Sequence, residues 1–414
     1  MNKRKIAVIG AGASGMLAAG KLAEAGLDVY LFEKNKLLGK KLGITGKGRC
    51  NVTNNCSADE VIKSVTTNGR FLFSAVNRFT PQDTIDFFTS RGVPLKTERG
   101  NRVFPESDKA TDVVLALKGY ALSSGVRIIN ENVTSLLVKD GRVERVDTDR
   151  SKYSDFESVL VCTGGKSYPG TGSTGDGYRF AEAAGHTIIT PTPSLVGLDS
   201  EDKLCRDAQG LALKNTAISV LDTQKNKVIY EDFGEMLFTH FGLSGPMILS
   251  ASAHTRPMEK GRYKILIDLK PALSAEMLDA RILSDFEKYK NKNFENALGD
   301  LLPQKLIRPI INILGIGYDR KVNGITRAER EKIVTLLKAL PVTIRGLRPI
   351  DEAIITSGGV KTSEIDPRTM RSKLCENLYF AGEVIDVDAY TGGFNLQIAF
   401  STAVTAAEAM IFGE

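Results

Sequence analysis

Apolar positions change their spacing along the chain and mark out three kinds of segment. Residues 6–9 form a short run rich in β-branched side chains, suited to a parallel strand buried on both faces. Residues 16–25 follow as a helix of small residues, Gly26 ends it, and residues 29–32 make the next strand. Strand and helix signals alternate in this way to about residue 190, and residues 365–414 supply another strand, turn and helix. In between, residues 211–230 (LALKNTAISVLDTQKNKVIY) and 262–269 (RYKILIDL) alternate apolar with polar, the pattern of half-buried strands. From 274 to 340 the period becomes helical, in SAEMLDARILSDFEKY, FENALGDLLPQKLIRPIINILG and TRAEREKIVTLLKALP. Ser274 and Thr326 are the expected N-caps, and Pro341 is the expected stop of the last helix. Residues 341–360 read as strand again. The sequence shows no internal repeat, low-complexity tract or coiled coil.

Composition narrows the class without deciding it. The chain has 414 residues, enough for two or three domains, and 42% hydrophobic with 25% charged residues is ordinary for a globular protein. A formal charge of +6, from 55 basic and 49 acidic residues, suits an anionic ligand but lacks the dense basic blocks of a nucleic-acid tail. Neither a nucleic-acid partner nor a membrane is expected. The longest apolar runs fall far short of the roughly 20 residues that span a bilayer. The opening MNKRKIAVIGAGASG runs straight into a glycine loop with no cleavage site, so it reads as a first strand and not as a signal peptide. The five cysteines, Cys50, Cys56, Cys162, Cys205 and Cys375, include no CxxC pair, which argues against zinc or a disulfide framework and for a cytoplasmic location. His186, His240 and His254 are too separated for a metal cluster and read as structural.

The first chemical signal lies in KIAVIGAGASGMLAAGKLAEAGLDVYLFEK. Gly10, Gly12 and Gly15 form GxGxxG between strand and helix, and Glu33 closes the second strand 18 residues after Gly15. Gly10 permits the tight turn, Gly12 removes a Cβ from the path of a pyrophosphate, and Gly15 lets helix and strand pack closely. The phosphates then meet the free N–H groups of the helix N-terminus, beside Ala13 and Ser14. Glu33 can accept from both ribose hydroxyls, and it repels a 2′-phosphate there. A dinucleotide site follows, though this unit alone does not separate NAD from FAD.

Three further stretches favour the longer FAD. In GKKLGITGKGRCNVTN (39–54), Gly39, Gly43, Gly46 and Gly48 bare the backbone, while Lys40, Lys41 and Arg49 add charge. Thr45, Asn51 and Asn54 add directional hydrogen bonds. In SVLVCTGGKSYPGTGSTGDGYRFAEAAGH, the strand over residues 159–162 ends in Thr163, Gly164 and Gly165 at the carboxyl edge of the sheet, where ligands collect in open α/β folds. Ser173, Thr174 or Asp176 is placed to cap the following helix. In LYFAGEVIDVDAYTGGFNLQIAFSTAVTAAEAMI, a strand ends at Gly382-Glu383, and Gly392, Gly393, Phe394 and Asn395 open a helix running to about residue 411. That helix can aim its dipole at the flavin N1–C2=O locus.

GAGASG, TGKGRCNVTN, TGGKSYPGTGSTGDGY, FTHFGLSGPMILSAS, ITSGGV and AGEVIDVDAYTGGFNLQIA together resemble the aminoacetone oxidase family of bacterial flavoproteins, also known as BaiN/YhiN-like NAD(P)/FAD-dependent oxidoreductases. The likeness runs from Gly10 to about Ala399. It implies an α/β fold: a Rossmann-like FAD-binding domain over 1–190 and 365–414, with an inserted β-barrel-like domain over 191–273 and 341–364. A helical insert over 274–340 completes it. Non-covalent FAD is the expected cofactor, and NAD(P)H a possible transient reductant. Lys34, Cys50 and Val133 join the expected cofactor contacts named above. The insert is expected to cover the flavin, with residues 238–242 and 356–359 nearest the substrate. Hydride transfer at flavin N5 needs no protein nucleophile, and Tyr168, His240, Glu383 and Tyr390 are the candidates for handling a proton. A second GxGxxG-plus-acid unit is missing, so the first expectation is an amine or amino-ketone oxidase reoxidised by O₂. The alternative is an NAD(P)H-dependent reductase of an activated C=C bond. From another class come an FAD-dependent RNA-modifying protein and a redox sensor.

Overall fold

The computed structural model describes residues 3–413, and its contacts divide them into two units. The first joins both ends of the chain, through Ser194 and again from Ile350 onward. Its centre is a parallel sheet in which β1 (Lys5–Ile9) is flanked by β2 (Asp28–Phe32) and by β4 (Ser158–Val161). Outside these lie β3 (Arg127–Ile129) next to β2 and β5 (Leu378–Phe380) next to β4, giving the order β5-β4-β1-β2-β3. Val159, Leu160 and Val161 are buried, as a strand covered on both faces demands. Helix α1 (Ala13–Glu24) packs against α2 (Phe394–Phe412), and both are built of small side chains that let them approach. The polypeptide's two ends therefore share one core, from Ile6 to Met410. A three-stranded antiparallel sheet (Val133–Lys139, Arg142–Thr148, Lys152–Ser154) lies between β3 and β4 in the chain.

The second unit, Leu195–Pro349, has a seven-stranded sheet of antiparallel pairs. Its long strands are Ala212–Asp222 and Lys227–Phe238, followed outward by Tyr263–Asp268 and Leu340–Thr343. The half-buried alternation read over 211–230 and 262–269 matches these strands. Helices Ala275–Lys288, Gln304–Leu314 and Arg327–Lys338 share the core of that sheet: Ile218, Val220 and Ile265 pack in one cluster with Ile282, Ile310 and Ile333. The helical segment thus has no core of its own. Residues 350–364, expected with the barrel-like segment, belong to the first unit, because Ile355–Val360 pairs antiparallel with Ile188–Ser194.

Local chemistry explains where helices begin. The Ser274 side chain accepts from the Met277 N–H, and Thr326 forms a capping box with Glu329. Three local expectations need correction. The segment FENALGDLLPQKLIRPIINILG is two helices, Phe294–Ala297 and Gln304–Leu314, with Pro303 at the N-cap of the second. Pro341 does not stop the last helix but lies in a strand two residues beyond its C-cap, Ala339. The helix Asp176–Ala183 is capped by Gly175 at φ +82°, with no side-chain cap from Ser173, Thr174 or Asp176. No helix among the described residues is long and apolar enough to cross a membrane.

Candidate functional site

The carboxyl ends of the parallel strands open on a cavity of about 560 Å³ within the first unit. The glycine turn after β1 forms one wall. At Gly15 a side chain would run into the Gly10 carbonyl, so only glycine lets α1 sit this close to the strand end. At Gly12 a Cβ meets nothing within 4 Å, leaving open space beside the backbone. At the far end, Gly393 (φ +98°) caps α2, and a side chain there would strike the Thr53 backbone. The first turn of α2 thereby reaches the cavity with Asn395 and Leu396.

Most of the sequence-predicted contacts meet here. Gly10, Gly12, Ala13, Ser14, Glu33, Lys34, Lys40, Lys41, Thr45, Gly46, Arg49, Asn51, Val133, Thr163, Gly164, Glu383, Gly392, Gly393 and Asn395 all line the one cavity. Six do not. Gly15 and Gly382 are packing positions behind the wall, Gly165 is closed in by Thr356 and Glu383, and Gly48 stands apart from the lining. Phe394 faces a neighbouring groove. Cys50 is fully buried, and burial pushes its thiol up to about 12, so at neutral pH it is no thiolate.

The charges are arranged differently from the expectation. The cations of the quoted stretch are mostly spent within the protein. Lys41 Nζ pairs with Glu383 at 2.7 Å and donates to Ser167 Oγ at 2.7 Å. Arg49 bridges Glu98 and Asp108, both at 2.5 Å, and stacks over Phe104. Lys40 donates to the Gly170 carbonyl, and Lys34 pairs with Asp176 at 2.5 Å. Burial alone would push the Asp176 carboxyl up, but hydrogen bonds from Lys34, Thr174 and Arg179 outweigh it and hold it below the usual range. Glu383 also accepts from Ser167 Oγ at 3.1 Å and the Thr356 N–H at 2.9 Å. Glu33 accepts from the Ala11 N–H at 2.9 Å and from the Asn35 N–H and Nδ2 at 2.8 Å each. Asn395 fixes its loop by donating to the Ala389 carbonyl and accepting from the Ala389 N–H.

Two polar atoms at the wall stand out. Asn51 Oδ1 and Thr163 Oγ1 are buried with no hydrogen-bond partner among the described residues. Burial without a hydrogen bond is costly, and such groups point to something the protein does not itself supply. Lys47, Arg102 and Phe104 also line the cavity and escaped the sequence reading. Lys47 stands in the 39–54 stretch, between Gly46 and Gly48. Arg102 and Phe104 sit on a hairpin strand, Arg102–Pro105, that carries no glycine motif to signal it. Of the candidates for proton handling, Glu383 alone reaches the cavity. Tyr168 and Tyr390 lie outside its lining, and His240 is an exposed residue of the second unit.

The model of the HI0933-like protein Rossmann domain matches residues 4–409. The chain belongs to the HI0933-like family. It is thereby an oxidoreductase of the FAD-dependent superfamily. The chain is 30% identical to a 3-dehydro-bile acid Δ(4,6)-reductase of Clostridium scindens, over 98% of each chain. It is 31% identical to a ribosomal RNA dihydrouridine synthase of Haemophilus influenzae, over 97% of this chain and 96% of that one. The Escherichia coli protein of the same name is 30% identical over 98% and 97%. Two solved structures share the fold at low identity. A 3-ketosteroid Δ1-dehydrogenase from Sterolibacterium denitrificans aligns at TM-score 0.52 and 14% identity, covering all of both chains. The open form of a flavocytochrome c3 fumarate reductase aligns at 0.50 and 15%, covering 99% of this chain and 78% of that one.

Proposed function

We propose that this HI0933-like protein is a flavin-dependent reductase that saturates a carbon–carbon double bond conjugated with a carbonyl, taking its electrons from NAD(P)H. One observation carries the reading. The named relatives act on molecules as unlike as a bile acid and a ribosomal RNA, each at about 30% identity over nearly the full chain. A 3-keto steroid with double bonds at positions 4 and 6 and a uracil ring share one feature, an alkene polarised by a neighbouring carbonyl. The oxidase expectation has no counterpart among these relatives, so the reductase alternative takes its place.

The residues present fit an FAD molecule. A cavity of about 560 Å³ falls within the usual range for ligand pockets, roughly 300–1,000 Å³. The N–H groups opening α1 suit the pyrophosphate, and Glu33 suits the ribose hydroxyls. Asn51 Oδ1 and Thr163 Oγ1 are unpaired and available to it. When bound, the flavin supplies a two-electron carrier whose N5 exchanges hydride with carbon. The protein's part is positional and electrostatic. The start of α2 puts a positive dipole end at one side of the cavity. Lys41, Ser167 and the Thr356 N–H fix the Glu383 carboxylate on the cavity wall, where it serves as a positioning group for a hydroxyl. Burial also pushes the Cys162 thiol, on the cavity wall, up to about 12, so it carries no charge to repel an anionic flavin.

The test is anaerobic. Purified holoprotein is bleached with NADPH or NADH, then mixed with a 3-keto-4,6-diene steroid or with uridine-containing ribosomal RNA fragments. Recovery of the oxidised flavin band with either alkene supports the proposal. Recovery with neither, together with peroxide release from aminoacetone in air, reinstates the oxidase.

A further inference from the structure

We propose that a groove beside the flavin cavity, walled by Lys63, Arg102, Thr391 and Phe394, seats the phosphates of the nicotinamide dinucleotide donor; the proposal rests on the reductase reading above. The groove holds about 380 Å³ and lies in the first unit. It is continuous with the cavity, since Arg102, Thr391 and Gly392 belong to both walls. A ligand anchored in the groove is thus within reach of whatever the cavity holds.

Three features make this a built site. Its floor is fixed, because Asn54 Nδ2 donates to the Gly100 and Gly392 carbonyls, each at 3.0 Å, and staples the hairpin tip to the glycine turn. Its positive charge is unspent. Lys34, Lys41 and Arg49 are paired with carboxylates, whereas Lys47, Lys63 and Arg102 have none within 4.0 Å among the described residues. The one carboxylate on the wall, Glu60, is turned back on its own helix, where it accepts from the Ser57 N–H and Oγ at 2.8 Å each. Lys63 and Arg102 thus line the groove without a salt bridge, although Arg102 Nε donates to the Arg99 carbonyl at 3.0 Å and Lys63 lies in the field of Glu60, and Thr391 adds a hydroxyl.

The sequence supplies the need for such a site. Of the two GxGxxG stretches, 10–15 and 170–175, only the first has an acidic residue, Glu33, at the ribose spacing, and that turn is committed to the flavin. The other glycine turns of the first unit that open a helix, before Asp176–Ala183 and before α2, stand on the flavin cavity's own wall, so phosphates in the groove are left to side-chain cations.

Calorimetric titration of NADP⁺ and NAD⁺ into flavin-loaded protein at low salt tests this, with Lys63→Glu and Arg102→Gln as variants. Lys63→Glu is expected to raise the dinucleotide Kd roughly tenfold or more, leaving flavin content unchanged. Inorganic pyrophosphate should compete for the same site in the parent. Bleaching by 1-benzyl-1,4-dihydronicotinamide, a donor without phosphate, should proceed equally in parent and Lys63→Glu. A dinucleotide Kd within twofold of the parent in both variants overturns the proposal. So does weakened binding confined to a uridine-containing RNA oligonucleotide, which would give the groove to an RNA backbone. Protein that purifies colourless and takes up no added FAD sinks the flavin reading first, before any titration.

Discussion

Glu33 shows how much a single side chain is asked to do. Its two oxygens hold the Ala11 N–H and the Asn35 side chain, and one face remains on the cavity. Glu33→Ala therefore removes an acceptor from the ribose and strands a buried N–H, a loss of about 1.5–3 kcal/mol, or roughly 10- to 100-fold in FAD affinity. Equilibrium dialysis measures it, and a variant that holds FAD like the parent would refute the ribose assignment. A second cluster resembles catalytic machinery and is not. His186 Nε2 and Ser372 Oγ share a hydrogen bond of 2.6 Å, and Nδ1 lies 3.4 Å from Glu364. Yet Ser372 Oγ already accepts the Leu374 and Cys375 N–H groups, and neither cavity described above touches the trio. It is a structural clamp. Burial holds the imidazole below its usual pKa, against the pull of Glu364. The unfolded chain thus takes up a proton at about pH 6.5 that the folded one still refuses, so stability falls as pH drops below that value. Melting curves from about pH 8 to about pH 5.5 should show a steeper loss for the parent than for His186→Gln; equal slopes would discard the idea.

At the scale of elements, the glycines divide into those that build the cavity wall and those that merely occupy a loop. Gly393 caps α2 at φ +98°, where any side chain costs about 1–3 kcal/mol before its clash with Thr53 is counted. Gly393→Ala is expected to lower the melting temperature by several degrees and to purify with less flavin per chain. Gly43→Ala, in the glycine-rich stretch over residues 39–54, adds a Cβ that meets nothing within 4 Å, and should match the parent in both measures. Equal behaviour of the two variants would mean that α2 does not depend on its cap. This division also shows what could be read in advance. Strands β1, β2 and β4 and both glycine turns were legible because their roles depend on local covalent geometry, carried by Gly10, Gly15 and Gly393 themselves. The pairing of Lys41 with Glu383, 342 residues apart, was not, because which carboxylate meets a cation is settled only by the fold. Arg102 stayed hidden for a related reason: its strand carries no pattern that a ligand site requires.

At the scale of the molecule, the two cores are separate in sequence. The first cluster contains no residue between Ala184 and Val360, and the second runs from Leu198 to Ile344. The chain leaves the first unit after Ser194 and returns to it at Ile350. Ser194 pairs with Ile355 across antiparallel strands, so joining Ser194 directly to Ile350 leaves residues 350–354 as the loop of a hairpin. Five residues is within the common range for such loops, so the splice asks no strand to move. A chain lacking residues 195–349 should fold, take up FAD with a Kd within about tenfold of the parent, and unfold in one cooperative step. The excision also removes 24 Lys and Arg against 19 Asp and Glu, lowering the net charge from +6 to +1. If RNA is the substrate, retention on immobilised RNA should drop with that charge, while flavin content stays. An insoluble or colourless product would show that the first unit needs the second to form its cavity, against the independence of the two cores.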